Sequence, residues 1–240
     1  MSFLDSIFGR KAIVDFNGFV DWHSHILPGV DDGVGSIDDS LAILARYEEM
    51  GIREVWLTPH IMEDMPNRTA DLRSGFSRLS EAYNGPIVLR LAAENMVDVL
   101  FAGRLAAGDV LPIGPRGDML LVETSCFNPP MKLESTLADI RSAGYFPLIA
   151  HPERYVYVEL PDGYRRWKEL GCRFQLNLLS LTGFYGQQAQ KSAEFMLGRG
   201  MYDCVGTDIH GRSQLDRLRS IRLSAGMMDH LESLFLNKLY

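Results

Sequence analysis

Seven short β-rich runs alternate with helical patterns along the 240 residues, and no Gly/Ser-rich or Pro-rich linker separates two halves. Such alternation points to βα units around a parallel sheet, because each return to a parallel strand needs a crossover of a dozen or more residues. Strands are expected over residues 18–23, 53–58, 87–93, 119–123, 146–150, 173–177 and 203–207. They belong to one α/β domain spanning 18–240, preceded by an N-terminal extension, 1–17. The first helix has the clearest signals: Ser36 with Asp39 resembles a capping box, Ile37, Leu41, Leu44 and Ala45 share a face, and Gly51 stops it. Further helices are expected over 68–83, 96–106, 133–143, 164–169, 188–198, 214–224 and 227–239. No segment repeats at a fixed spacing, which argues against a solenoid.

Six of the seven strands run into a histidine or a carboxylate at their C-terminal ends. The first leads into Asp21-Trp22-His23-Ser24-His25, the second into His60, the third into Glu94, the fourth into Glu123, the fifth into His151 and the seventh into Asp208 and His210. In a parallel α/β barrel these ends form one mouth, so residues distant in sequence become neighbours there. His23 and His25 are two apart, a spacing that puts both rings on one side of an extended chain. One histidine at a strand end is usually a hydrogen-bonding residue, but five of the six histidines fall at such ends. Only His230 lies in an ordinary helical pattern. With an aspartate from the loop Gly29-Val30-Asp31-Asp32-Gly33, the set holds nine side chains, too many for one ion. Spacing alone leaves open which of Asp31 and Asp32 belongs to it. Imidazoles and carboxylates without thiolate suit Zn²⁺, Fe or Mn²⁺, and bridging carboxylates allow two or three ions.

A net charge of −7 supplies no basic footprint for nucleic acid or anionic membrane, and four ligand carboxylates would account for part of it. Cys126, Cys172 and Cys204 form no C-x-x-C pair, which reads as a reducing compartment. No apolar run reaches the roughly 18 residues of a membrane span, and the N-terminus lacks a secretory signal, so the expected location is cytoplasmic. Phe3, Leu4, Ile7 and Phe8 could form an apolar stripe and are read as packing or fraying at the chain end.

The motifs HSHILPGVDDG, TPH, AEN, VETS, AHPERY and TDIH together resemble the polymerase-and-histidinol-phosphatase (PHP) superfamily, and within it the bacterial CpsB/CapC-type protein-tyrosine phosphatases of capsule and exopolysaccharide synthesis. The resemblance runs from about Phe19 to His210. It implies a distorted seven-stranded parallel (β/α) barrel and a trinuclear, typically Mn²⁺-dependent centre. By motif position it carries metal roles onto His23, His25, Asp32, His60, Glu94, Glu123, His151, Asp208 and His210, and phosphate binding onto Arg154. A second arginine beyond the D-x-H motif does not align, leaving Arg212 and Arg217 as candidates, and AENM departs from the commoner form of the third motif.

The implied activity is hydrolysis of phosphotyrosine monoesters by a metal-activated hydroxide, with Arg154 clamping the phosphoryl group. The implied substrate is a phosphotyrosine protein, such as the Tyr-rich tail of a kinase that controls polysaccharide synthesis. The bland reading of Arg154 is a salt bridge with Glu153 or a helix carboxylate. Alternatives are a small-molecule phosphatase of the histidinol-phosphate type, a nuclease-like role that the charge disfavours, and a non-catalytic metal-stabilised regulatory module. No cysteine has an arginine six positions later, and G-x-S-x-G, H-E-x-x-H and P-loop patterns are absent, which removes the common cysteine, serine and zincin routes. Binuclear amidohydrolases also begin with H-x-H, but they usually carry a lysine where this chain has Glu123, and none of its five lysines ends a predicted strand. Phe184 and Tyr185 either stack on a substrate ring or pack within their loop.

Overall fold

The computed structural model describes residues 11–236; Phe3, Leu4, Ile7 and Phe8 lie outside that range. In chain order the elements are β1 (Ala12–Ile13), β2 (Val20–Ser24), α1 (Ile37–Glu49), β3 (Glu54–Leu57), β4 (His60–Ile61), α2 (Thr69–Ala82), β5 (Val88–Leu91), β6 (Glu94–Met96) and α3 (Phe101–Ala107). There follow β7 (Met119–Glu123), α4 (Leu133–Ser142), β8 (Phe146–Ala150), α5 (Asp162–Glu169), β9 (Arg173–Asn177), α6 (Gln187–Gly198), β10 (Cys204–Gly206), α7 (Arg212–Arg219), β11 (Arg222–Leu223) and α8 (Ala225–Leu236). Short 3₁₀ turns occupy Pro152–Arg154 and Leu178–Thr182.

The result is a mixed α/β fold in which parallel strands form a curled, half-barrel sheet. Three strands run in the order β2-β3-β5 and six in the order β10-β9-β8-β7-β6-β4. The two sets meet where Ser24 bridges Ile209, with the Asp208 N–H donating to the His23 carbonyl at 2.8 Å and the His25 N–H to the Ile209 carbonyl at 2.9 Å. Two of the expected strands, 53–58 and 87–93, are each followed by a further short strand. The chain leaves β3 at Thr58-Pro59 and β5 at Ala92-Ala93, then joins the other sheet as β4 and β6, paired His60 to Glu94. That crossing carries both side chains to the inner end of the curl. It also shortens the helix expected over 96–106, which begins only at Phe101 because Glu94–Met96 pairs with β7. The helix expected over 214–224 ends at Arg219, since Arg222–Leu223 pairs antiparallel with Ala12–Ile13.

Two apolar clusters flank the sheet. The larger lies between strands and helices and takes in Val14 and Phe16, from the segment before β2. The smaller, which includes stacked Trp22 and Trp56 with Met119, Leu121, Leu148 and Cys204, draws on no helix and fills the concave side. Helix α1 begins as expected, with the Asp39 N–H donating to Ser36 Oγ at 3.2 Å, while the hydroxyl donates back to the Asp39 carboxylate at 2.7 Å.

A buried carboxylate stitches the seam between the sheets. Asp21 Oδ1 accepts from the Thr207 N–H (2.8 Å) and the His23 N–H (3.2 Å), and Oδ2 from the Thr207 hydroxyl (2.7 Å) and the Tyr47 hydroxyl (3.0 Å). Burial outweighs these donors and raises the Asp21 pKa to about 6. Tyr47→Phe removes one donor from a group that water cannot reach, so urea unfolding should show a loss of about 1–3 kcal/mol at an unchanged m value. Stability equal to the wild type would mean that Thr207 and the His23 N–H suffice for Asp21.

Candidate metal centre

Because the strands are parallel, their C-terminal ends share one face, and the histidine and acidic side chains converge there. Within each of three groups the potential donor atoms lie within 4.8 Å of one another: His25, Asp32, His60 and His210; His23, His25, Glu94 and Asp208; His60, Glu94 and Glu123. His25, His60 and Glu94 each belong to two groups, an arrangement suited to several ions with shared ligands. His151 stands at the same cluster, with Nε2 3.0 Å from Glu94 Oε1 and 3.8 Å from Glu123 Oε2. All nine expected side chains therefore come together.

The chemistry of the set fits divalent cations. Glu94 Oε2 has His23 Nε2 at 3.1 Å, His25 Nε2 at 3.2 Å and His60 Nδ1 at 3.2 Å, yet it is buried with no aligned hydrogen bond. His60 Nδ1, Glu123 Oε1 and His151 Nδ1 are likewise buried without a hydrogen-bond partner. Lone pairs packed this closely in a protein interior call for positive charge among them. The imidazoles respond to the same need. Burial pulls His23 down, but Glu94 and Asp208 outweigh it and raise its pKa to about 9. Burial works against ionised Glu94 and Asp208 too, but the facing histidines hold both well below the usual carboxylate range. His210 is lowered, by burial and then by His25.

Other side chains orient this cluster. Asp31 and Asp32 divide the work that spacing left open. Asp31 accepts from His25 Nδ1 at 2.8 Å and from the N–H groups of Gly33 and His60, whereas half-exposed Asp32 reaches His210 Nε2 at 3.3 Å and His60 Nε2 at 3.6 Å. Gly33 permits that loop, since a Cβ there would lie 2.0 Å from the His25 carbonyl. Gln175 Oε1 lies 2.9 Å from His23 Nδ1, and Gly206 leaves room for both, because its Cβ would fall 2.4 Å from His23 Cβ. Gln175 was not anticipated, although buried polar residues at alternate positions of β9, Gln175 and Asn177, were the signal available. Asn177 donates to Asp208 Oδ2 at 2.9 Å. His151 (φ 33°) and Asp208 (φ 52°) hold left-handed backbone conformations that cost roughly 1–3 kcal/mol each, strain of the kind that collects at functional sites.

Arg154 does not pair with Glu153. Its Nη1 donates to Asp208 Oδ2 at 3.0 Å, its guanidinium lies 4.2 Å from the Tyr185 ring centre, and a quarter of the side chain stays exposed. Glu153 is buried beneath, accepting from the Asn177 N–H and from the Ser180 and Tyr202 hydroxyls. Of the two candidate second arginines, Arg212 pairs with Asp39 of α1 at 3.2 Å and Arg217 lies 5.0 Å over Phe184. Tyr185 packs inward, accepting from Asn177 Nδ2 at 3.2 Å, and Phe184 meets its ring edge-on at the lip. Burial pushes the thiols of Cys126 and Cys204 up and that of Cys172 to about 12, so all three are held as neutral thiols.

Known proteins resemble this chain in sequence and in fold. The chain is 28% identical over 204 residues to tyrosine-protein phosphatase YwqE of Bacillus subtilis, covering 80% of this chain and 77% of that protein. It is also 28% identical over 203 residues to tyrosine-protein phosphatase CpsB of Streptococcus pneumoniae, covering 80% and 82%. A crystal structure from work on these two, described as unique metal-dependent tyrosine phosphatases, superposes with a TM-score of 0.74 at 24% identity, covering 91% of this chain and 95% of that one. The lactonase Lmo2620 from Listeria monocytogenes is a more distant likeness of fold, with a TM-score of 0.51 at 12% identity over 82% and 80% of the two chains. The profile of the capsular polysaccharide synthesis CpsB/CapC family matches residues 19–229, and the chain belongs to that family.

Proposed function

We propose that this chain is a metal-dependent protein-tyrosine phosphatase acting in the cytoplasm on the tyrosine-rich tail of a kinase that controls polysaccharide synthesis. The convergence of nine donor side chains beside one partly exposed arginine carries the reading. The ligands are His23, His25, Asp32, His60, Glu94, Glu123, His151, Asp208 and His210, holding two or three divalent ions, Mn²⁺ first among them. The domain spans 18–240. Its two parallel sheets close as a distorted seven-stranded barrel, a reading supported by the bridge between Ser24 and Ile209.

When bound, such ions supply water activation at neutral pH and neutralise phosphoryl charge. The chain's own residues do the rest. Asp31 accepts a hydrogen bond from His25 Nδ1–H and Gln175 Oε1 one from His23 Nδ1–H, which directs both Nε2 lone pairs into the cluster. Asn177 and Arg154 together fix the Asp208 carboxylate. The free edge of the Arg154 guanidinium takes two phosphoryl oxygens, and Tyr185 beneath it holds the plane of the fork. A tyrosine leaving group has a pKa of about 10, so it departs with less help from an acid than an alkyl alcohol needs.

Competition among substrates tests the assignment. Phosphotyrosine peptides should be hydrolysed with a higher kcat/KM than histidinol phosphate or phosphoserine peptides. A preference for histidinol phosphate above tenfold would transfer the substrate assignment to the small-molecule class. The neutral thiols give a second check. Cys126→Ser should retain most of the turnover, and a phosphocysteine trapped in the wild type would reject the mechanism.

A further inference from the structure

Eight large apolar side chains are exposed among the described residues, and their distribution is uneven. Six of them lie on loops that follow the strands of the larger sheet at its C-terminal ends: Val99 and Leu100 after β6, Phe127 and Met131 after β7, Val156 after β8, and Phe184 after β9. The mouth of the centre thus has an apolar rim, which a small, highly charged phosphate ester does not need.

Phe127 and Met131 adjoin in sequence Pro129 and Lys132, which line a groove of about 670 Å³ between the β7 and β8 loops. Leu133, Tyr157, Val158 and Trp167 contribute its apolar lining. The two loops are tied together by the Val156 N–H donating to the Cys126 carbonyl at 2.9 Å and by a 2.5 Å hydrogen bond between the Thr124 and Tyr157 hydroxyls. Aromatic rings in contact link the centre to Tyr157 of the groove wall. His151 meets Tyr155 at 6.1 Å between ring centres, and Tyr155 stacks on Tyr157 at 5.6 Å. Its charged residues do not favour one sign strongly, since Lys132, Glu134 and Glu159 all line it, and Glu134 is already paired with Arg166 at 2.6 Å.

We infer that this groove is a subsite for the substrate polypeptide, receiving an apolar side chain two to four residues from the phosphotyrosine. An extended chain advances about 3.3 Å per residue, so two to four residues cover about 7–13 Å, the span of the two ring-to-ring steps from His151 to the groove wall. The subsite rests on the phosphatase reading and adds to it what the enzyme selects beyond the phosphorylated ring.

The test compares phosphotyrosine peptides that carry Leu or Asp at the flanking positions with 4-nitrophenyl phosphate, which has no flanks. The wild type should favour the Leu peptide about tenfold in kcat/KM, mostly through KM. The paired substitution Phe127→Asp and Met131→Asp, at side chains 73% and 93% exposed, should erase that preference without unfolding the chain. Ser135→Trp, which fills the groove, should lower the ratio of Leu peptide to 4-nitrophenyl phosphate turnover. Equal rates for the two peptides in the wild type, with 4-nitrophenyl phosphate still hydrolysed, overturn the subsite and leave the phosphatase reading standing. If none of the three substrates is hydrolysed by metal-loaded enzyme, the phosphatase reading fails and takes the subsite with it.

Discussion

Glu94→Gln is expected to lower kcat/KM on phosphotyrosine by roughly 10³-fold or more, well beyond the roughly 10–100-fold that losing an orienting partner of a metal ligand costs. The substitution keeps shape and removes charge at the most connected point of the cluster. Glu94 belongs to two donor groups, and its carboxylate oxygens lie within 3.0–3.2 Å of nitrogens from His23, His25, His60 and His151. Metal analysis should find fewer ions per chain, and circular dichroism should find the fold intact, because β6 keeps its pairing with β7 through the backbone. Chelation of the wild type should have the same effect, reversed by Mn²⁺. Full turnover by the metal-free protein would end the hydrolytic proposal.

Arg154→Ala should reduce kcat/KM by roughly 10²–10³, the range for one preorganised donor to developing charge, while metal content and melting temperature stay near those of the wild type. Asp208 keeps its Asn177 hydrogen bond when Arg154 is lost, which is why the metal should stay. Lysine should rescue only in part, since an ammonium is a point charge without the planar fork that guanidinium offers to phosphate oxygens. If the variant loses metal yet retains turnover per bound ion, Arg154 serves only to brace Asp208. The phosphate clamp would then be sought at Arg217, which already stands at the lip over Phe184.

The sequence alone determined that the chain builds parallel strands with helical crossovers, and that histidines and carboxylates gather at one end of them. Both follow from local patterns: apolar runs of strand length, crossovers long enough for helices, and reactive residues just beyond each run. Parallel strands then place those residues on one face whatever the details. Tertiary structure decided the points where a residue's surroundings come from elsewhere in the chain. The runs over 53–58 and 87–93 look continuous, yet each ends where the chain crosses to a second sheet, and that crossing aligns His60 with Glu94. The seventh helix stops at Arg219 because Arg222–Leu223 finds its hydrogen-bonding partner at Ala12–Ile13, at the other end of the chain. Asp31 and Asp32 are neighbours of one chemical type. Only the fold of the Gly33 loop against His25 turns one beneath an imidazole as an orienting acceptor and leaves the other facing His60 and His210. Arg154 likewise has a carboxylate beside it in sequence, but Glu153 is buried by Asn177, Ser180 and Tyr202, and the guanidinium finds Asp208 instead. The hydrogen-bond partners and burial of these residues are set by contacts between distant segments, which no local pattern encodes.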